Sequence, residues 1–180
     1  MTDEWRENED LRLGYLLSWV LTGTEEGAGK SVADAIKEVG EHPAAHDNHK
    51  RRQLFFSAVR RRSLRFPALC KLPEELRELH RSPEPGRSVV VLQSLLGGTS
   101  ASDVVRLLGL ESRGGGEAAK QLKEALSSPD SHSEGFEGLA PAPSGECLAA
   151  MALYLKGSEH SAVKNPATFA VGAAFLILVG

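Results

Sequence analysis

Residues 9–39 read EDLRLGYLLSWVLTGTEEGAGKSVADAIKEV, and the recurrence of apolar side chains along them decides the fold class. Through residues 9–21, Leu11, Leu16, Trp19 and Val20 share one broad face of a helical repeat, with Leu13, Leu17 and Leu21 beside them. Thr22-Gly23-Thr24 interrupts that pattern. From Glu25 to Val39 the apolar positions are Ala28, Val32, Ala35, Ile36 and Val39, spaced by three and four, which is helical and not strand periodicity. Gly40 and then Pro43 close the second helix. Two helices joined by a tight turn predict an all-α protein.

The same reading extends outward. A polar loop with His42, His46 and His49 leads into a third predicted helix over 50–64, carrying Lys50, Arg51, Arg52, Arg60, Arg61 and Arg62 together with Leu54, Phe55, Phe56 and Val59. Pro73 to His80 reads as a short helical segment, and Ser82-Pro83-Glu84-Pro85-Gly86 as a strong break. Residues 88–96 are locally ambiguous: Val89, Val90 and Val91 suit a strand, whereas Leu92, Leu95 and Leu96 favour helix. Ser100 and Asp103 form a capping pair for a helix that runs to Leu108 and stops at Gly109. The resulting expectation is two small helical domains: an N-terminal bundle at 1–66, a linker at 67–87, and a helix-turn-helix-like domain at 88–126. A flexible Ser/Pro/Gly-rich linker at 127–146 and an apolar C-terminal segment at 147–180 follow.

Within that last segment Cys147 to Leu155 is a short apolar helix, and Ala167 to Gly180 contains no charged residue. As a helix the uncharged run would rise about 21 Å, short of a hydrocarbon core of about 30 Å. Because the chain stops inside the run, the expectation is a membrane helix that continues beyond it. The alternative is a buried C-terminal helix. The acidic start, MTDEWRENED, lacks the charged and apolar pattern of a secretory signal, so the expected location is cytoplasmic, with a tether to the inner membrane.

With a formal net charge of −3 the chain has no global electrostatic pull toward nucleic acid, and any such binding must come from a local patch. Cys70 and Cys147 have no ligand-like spacing, so neither a zinc site nor a disulfide framework is expected. Gly27-Ala28-Gly29-Lys30-Ser31 invites comparison with the phosphate-binding loop, but that pattern needs glycine where Thr24 stands, and Glu25 and Glu26 would repel a nucleotide. A nucleotide-binding protein of that kind is the remote alternative. The histidines lack a catalytic partner set, so no enzyme, metal or cofactor is expected.

The arginine-rich helix is the patch. Arg51, Arg52, Arg60, Arg61 and Arg62 would neutralise phosphates, while Phe55 and Phe56, with Phe66 nearby, would stack on unpaired bases. The competing reading puts the phenylalanines in the core and the arginines on an ordinary solvated face. Residues 88–126 give helix, turn, capped helix, turn and final helix, the order of a helix-turn-helix. Its base- and phosphate-contacting residues would be Ser112, Arg113, Lys120, Gln121 and Lys123.

This order of features resembles the bacterial sigma factors of the extracytoplasmic-function group, in a degenerate form, over about residues 8–126. The N-terminal likeness rests on Leu21-Thr22-Gly23, Glu26, Ala28, Val32, Asp34, Ala35 and Ile36, followed by the arginine-rich helix. The C-terminal likeness rests on Ser100, Asp103, Val104, Leu107, Leu108, Gly109 and Leu110, with Leu122, Ala125 and Leu126. The resemblance implies a first domain that holds core RNA polymerase and opens the promoter −10 element, and a second that binds the −35 element. Two departures fall on those surfaces. Gly27, Gly29 and Lys30 stand where the family is acidic, and Gly114-Gly115-Gly116 opens the recognition helix at a cost of about 1 kcal/mol per glycine relative to alanine. The expected function is therefore a sigma-like transcription regulator with polymerase, DNA and a regulatory protein as partners. Its alternative is a protein-interaction scaffold that has lost DNA readout.

Overall fold

The computed structural model describes residues 4–66, 72–97, 99–111 and 140–163. These form eight α-helices: α1 (Glu4–Glu7), α2 (Glu9–Thr22), α3 (Glu25–Gly40), α4 (Asn48–Ser63), α5 (Glu74–Arg81), α6 (Gly86–Leu96), α7 (Ala101–Leu107) and α8 (Gly145–Val163). A 3-10 turn, Pro43–His46, joins α3 to α4. No strand occurs among the described residues, and the all-α expectation holds.

The α2–α3 pair shows why its boundaries were legible. Asn8 caps α2 by accepting from the Leu11 N–H at 3.0 Å, and Glu9 and Asp10 sit in the first turn, where carboxylates favour the helix dipole. At the other end Gly23 takes φ 70°, a left-handed conformation that glycine adopts without penalty, and its N–H bonds the Trp19 carbonyl at 2.8 Å. Thr24 then caps α3, its hydroxyl accepting from the Gly27 N–H at 3.1 Å, while the Thr22 hydroxyl donates to the Ser18 carbonyl. Gly27 is needed because a Cβ there would meet Thr22 Cβ at 2.9 Å. Asp47 caps α4 from the His49 and Lys50 N–H groups, and these bonds hold its carboxyl below the usual range. Ser100 caps α7 by accepting from the Asp103 N–H, and the Asp103 carboxylate reaches back to accept from the Ser100 hydroxyl at 2.6 Å, the capping pair read from the sequence.

Residues 88–96 are helix. Val89, Val90, Val91 and Leu92 are all buried, so tertiary burial overrides the strand preference of the valines. One hydrophobic cluster runs from Leu11 to Tyr154 and takes residues from α2 through α8, so the described helices do not divide into two cores. The described part of the expected 67–87 linker belongs to that cluster: Leu72, Leu76 and Leu79 are buried and α5 packs on α2 and α6. Of the expected second linker, residues 140–144, with Pro143 buried, lead into α8, Gly145 and Glu146 form its first turn, and α8 lies against α3 and α1. The remainder of both linkers, the last helix of the expected helix-turn-helix and the uncharged run from Ala167 lie outside the described residues.

No single described helix is long and apolar enough to cross a membrane. α6 and α7 together have the composition for it but meet at a bend of 111°.

Candidate functional site

α4 was singled out for its arginines and phenylalanines, and the structure separates them. Phe55 and Phe56 are 0% exposed and stack edge-on with centroids 5.4 Å apart. Phe55 also meets Tyr154 of α8 at 5.1 Å and closes against Gly14 of α2, where a Cβ would lie 2.5 Å from its ring. Both rings are core residues, as the competing reading of the sequence had it.

The arginines are dispersed. Arg51 is 8% exposed; its Nη2 donates to the Tyr154 carbonyl at 2.6 Å and its guanidinium lies 4.0 Å over the Tyr154 ring. Arg52 reaches the other way, to Asp10 at 2.7 Å and Glu9 at 3.4 Å. Arg60, also 8% exposed, donates to Glu84 at 3.0 Å and to Ser88 at 3.2 Å, and Ser88 in turn donates to Glu84 at 2.7 Å. Arg87 completes that cluster through Nε to Glu84 at 2.9 Å and through the His80 carbonyl. Arg61 and Arg62 share Glu38 of α3, Arg62 at 2.9 Å. Those bonds, Arg61 first, hold the Glu38 carboxyl below its ordinary range. The five arginines therefore do not converge on one open surface. Each has a carboxylate or a carbonyl partner, with Arg61 and Arg62 sharing one carboxylate and Arg51 holding a carbonyl.

Sequence reasoning missed the partners, Glu38, Glu84 and Tyr154, because they come from three different segments. The Pro-rich break at 82–86 held the one available signal: a single acid between two prolines, Glu84, whose peptide bond to Pro85 is cis. Ser112, Arg113, Lys120, Gln121 and Lys123 lie outside the described residues.

The P-loop-like stretch is helix. Gly27 to Ser31 form the first turns of α3, with Lys30 exposed and Gly27, Ala28, Gly29 and Ser31 buried. Gly29 faces α8: a Cβ there would lie 3.3 Å from Ser144 Oγ and 3.4 Å from Cys147 Cβ. Glycine at this position is a packing device for a close helix crossing.

The described residues also form concavities. One of 410 Å³ is lined by Trp5, Arg6, Glu9, Arg12, Tyr15 and Pro141, among others. A second, of 230 Å³, lies between α4 and the α6–α7 corner, lined by His49, Arg52, Gln53, Thr99, Asp103 and Arg106, among others. Both carry charges of both signs. No group of histidine, cysteine and acidic residues placed to hold a metal occurs among the described residues.

Set against known proteins, the chain matches no family model, no curated protein and no solved structure. The fold and site define a class only: an all-helical body with a packed, ion-paired basic helix and a C-terminal helix seated on its surface.

Proposed function

We propose that this chain is a non-catalytic protein-interaction scaffold on a sigma-like helical plan, one whose N-terminal domain no longer engages single-stranded DNA. The observation that carries this reading is the fate of α4: its two phenylalanines lie in the core, and its five arginines go to Glu9, Asp10, Glu38, Glu84, Ser88 and Tyr154. Opening those pairs for phosphate would remove bonds that join α4 to α2, α3, α6 and α8. The partner is a protein, and the uncharged run from Ala167 supports placing the scaffold at the inner face of a membrane. The test is a titration of the full chain against fluorescent single-stranded and duplex DNA at several salt concentrations. The expected result is no salt-dependent binding down to about 50 mM salt. Binding that weakens in Arg61→Ala/Arg62→Ala would overturn the proposal.

A second reading, the sigma-like transcription regulator that binds core RNA polymerase and promoter DNA, draws on the α6–α7 corner. Two helices meeting at 111° across Gly97 to Ser100, the second capped by Ser100, suit a helix-turn-helix. Co-migration of the full chain with core polymerase on a promoter fragment would favour it.

A further inference from the structure

The concavity of 410 Å³ is bounded by α1, the first half of α2 and residues 140–141. Its volume falls within the range of about 300–1,000 Å³ that small-molecule sites occupy. The apolar wall is Trp5 of α1, Tyr15 and Leu16 of α2, and Ala140 and Pro141. Trp5 is half-buried, and its ring meets that of Tyr15 edge to face with centroids 5.9 Å apart, so much of the wall is aromatic. Tyr15 is 0% exposed and keeps a hydroxyl with no partner among the described residues. A phenol oxygen accepts as well as donates, and an ammonium has three N–H groups to give and nothing to accept with.

Four charged side chains complete the lining, and they are not equally committed. The Arg6 guanidinium stands over the Trp5 ring, 5.4 Å from its centroid, and Arg12 is engaged as well. Glu7 is exposed and forms no ion pair or hydrogen bond among the described residues. Glu9, also exposed, has Arg52 at 3.4 Å, but Arg52 lies closer to Asp10, at 2.7 Å. The chemistry left over is an aromatic wall with carboxylates at its edge. That combination attracts a cation with a flat apolar body and repels an anion. Arg6 on Trp5 displays the same pairing from within the chain.

We infer that this cavity binds a small organic cation, an aromatic ring system carrying one amine, with Trp5 and Tyr15 against the rings and Glu7 and Glu9 facing the ammonium. The inference goes beyond the scaffold reading and does not depend on it. Both carboxylates are exposed, so their attraction for the ammonium is screened by salt and binding weakens as ionic strength rises.

The experiment uses the full chain and proton–nitrogen NMR. Two tryptophans, Trp5 and Trp19, give two indole N–H resonances, and Trp5→Phe assigns them. The probe is naphthylethylamine, compared with uncharged naphthylethanol and anionic naphthylacetate. The amine is expected to shift the Trp5 resonance saturably, while that of Trp19, which is 4% exposed, stays in place. The alcohol is expected to bind at least about threefold more weakly than the amine, and the acid more weakly still. In the Glu7→Gln/Glu9→Gln chain the amine should fall to the level of the alcohol. Equal affinity of amine and alcohol for the unaltered chain, a tighter acid, or a Trp5 resonance that does not move up to about 5 mM amine would overturn the inference. So would a preference for the amine that survives in the double variant. The comparison of the three probes is made on the unaltered chain, so it stands whatever the variant's stability. DNA binding, present or absent, bears on the scaffold reading alone.

Discussion

Gly14→Ala sets two effects of known size against each other. In a helix interior the substitution gains about 1 kcal/mol of propensity. At this position, however, the new Cβ would lie 2.5 Å from Phe55 Cε1 and 2.7 Å from Cζ. A ring tip can often swing away from such a contact. Phe55 cannot, because it is fully buried, with Phe56 at 5.4 Å on one side and Tyr154 at 5.1 Å on the other. Overpacking a closed core costs about 1–3 kcal/mol in well-packed proteins and more when backbone must move, so a net loss of about 1–2 kcal/mol is expected. For a chain of this size that is a fall in Tm of about 2–8 °C. Urea and thermal melts followed by circular dichroism measure it. Gly40→Ala is the matched control, since nothing lies within 4 Å of its Cβ; it is expected to leave stability unchanged or raise it by about 0.5 kcal/mol. Adding Phe55→Leu to Gly14→Ala should cost less than the two single losses together, by more than about 0.5 kcal/mol. A Gly14→Ala protein as stable as the unaltered chain would refute the packing of α2 on α4 described above.

Glu84→Gln leaves Arg60, which is 8% exposed, without its carboxylate, and is expected to cost about 2–3 kcal/mol in a denaturant melt; an unchanged midpoint would show that the Arg60–Glu84–Arg87 cluster contributes nothing. On the alkaline side, burial pushes both the Cys147 thiol and the Tyr154 phenol up to about 12. A raised folded pKa means stability that is present below the unfolded value and lost as pH rises toward the folded one, so α8 is expected to release between about pH 9 and 12. Burial pushes the Tyr15 phenol up further still, so tyrosinate absorbance should rise late, and Tyr154→Phe should remove the earlier part of that rise. On the acid side the Glu38 pKa is lowered by Arg61 and Arg62, so its contribution is present above 4.5 and lost as pH falls through the lowered value. Glu38→Gln should flatten the decline of Tm below that pH, and an unchanged slope would contradict the pairing.

The helices were legible because their signals are local. Asn8, Thr24 and Ser100 are capping residues in the three or four letters before an apolar repeat, and Gly23 and Gly109 stop helices by taking φ of 70° and 64°. Val89 to Val91 were not, because a run of β-branched residues is decided by what buries it. The orientation of α4 was hidden for the same reason on a longer scale. Whether Arg51 faces solvent depends on Tyr154, 103 residues away, and Arg60 on Glu84, in a stretch whose prolines and glycine mark only a break. Charge on a helix can be read from one segment, but its neutralisation requires the others.

Gly27-Ala28-Gly29 shows how one short motif can serve two chemistries, and Gly29→Val tells them apart. If the glycines cradle phosphate, valine should abolish a nucleotide-dependent rise in Tm. If they admit neighbouring helices, there is no such rise to abolish, and the damage falls on α8. A Cβ alone at Gly29 sits 3.3 Å from Ser144 Oγ and 3.4 Å from Cys147 Cβ, which a shift of a few tenths of an ångström relieves, so Gly29→Ala should be mild. The two further methyls of valine have no such room and should lift the first turn of α8 while α2 and α4 keep their Ser18–Ser63 bond. Thiol labelling reads this directly in a Cys70→Ser background, where Cys147 is the one thiol left. Buried, with its pKa raised to about 12, Cys147 should react slowly at pH 8, and Gly29→Val should speed its reaction by at least about tenfold while the far-ultraviolet spectrum changes little. Equal labelling rates in Gly29→Val and the unaltered protein would mean that Gly29 does not seat α8, and the tight crossing of α3 and α8 would have to be abandoned.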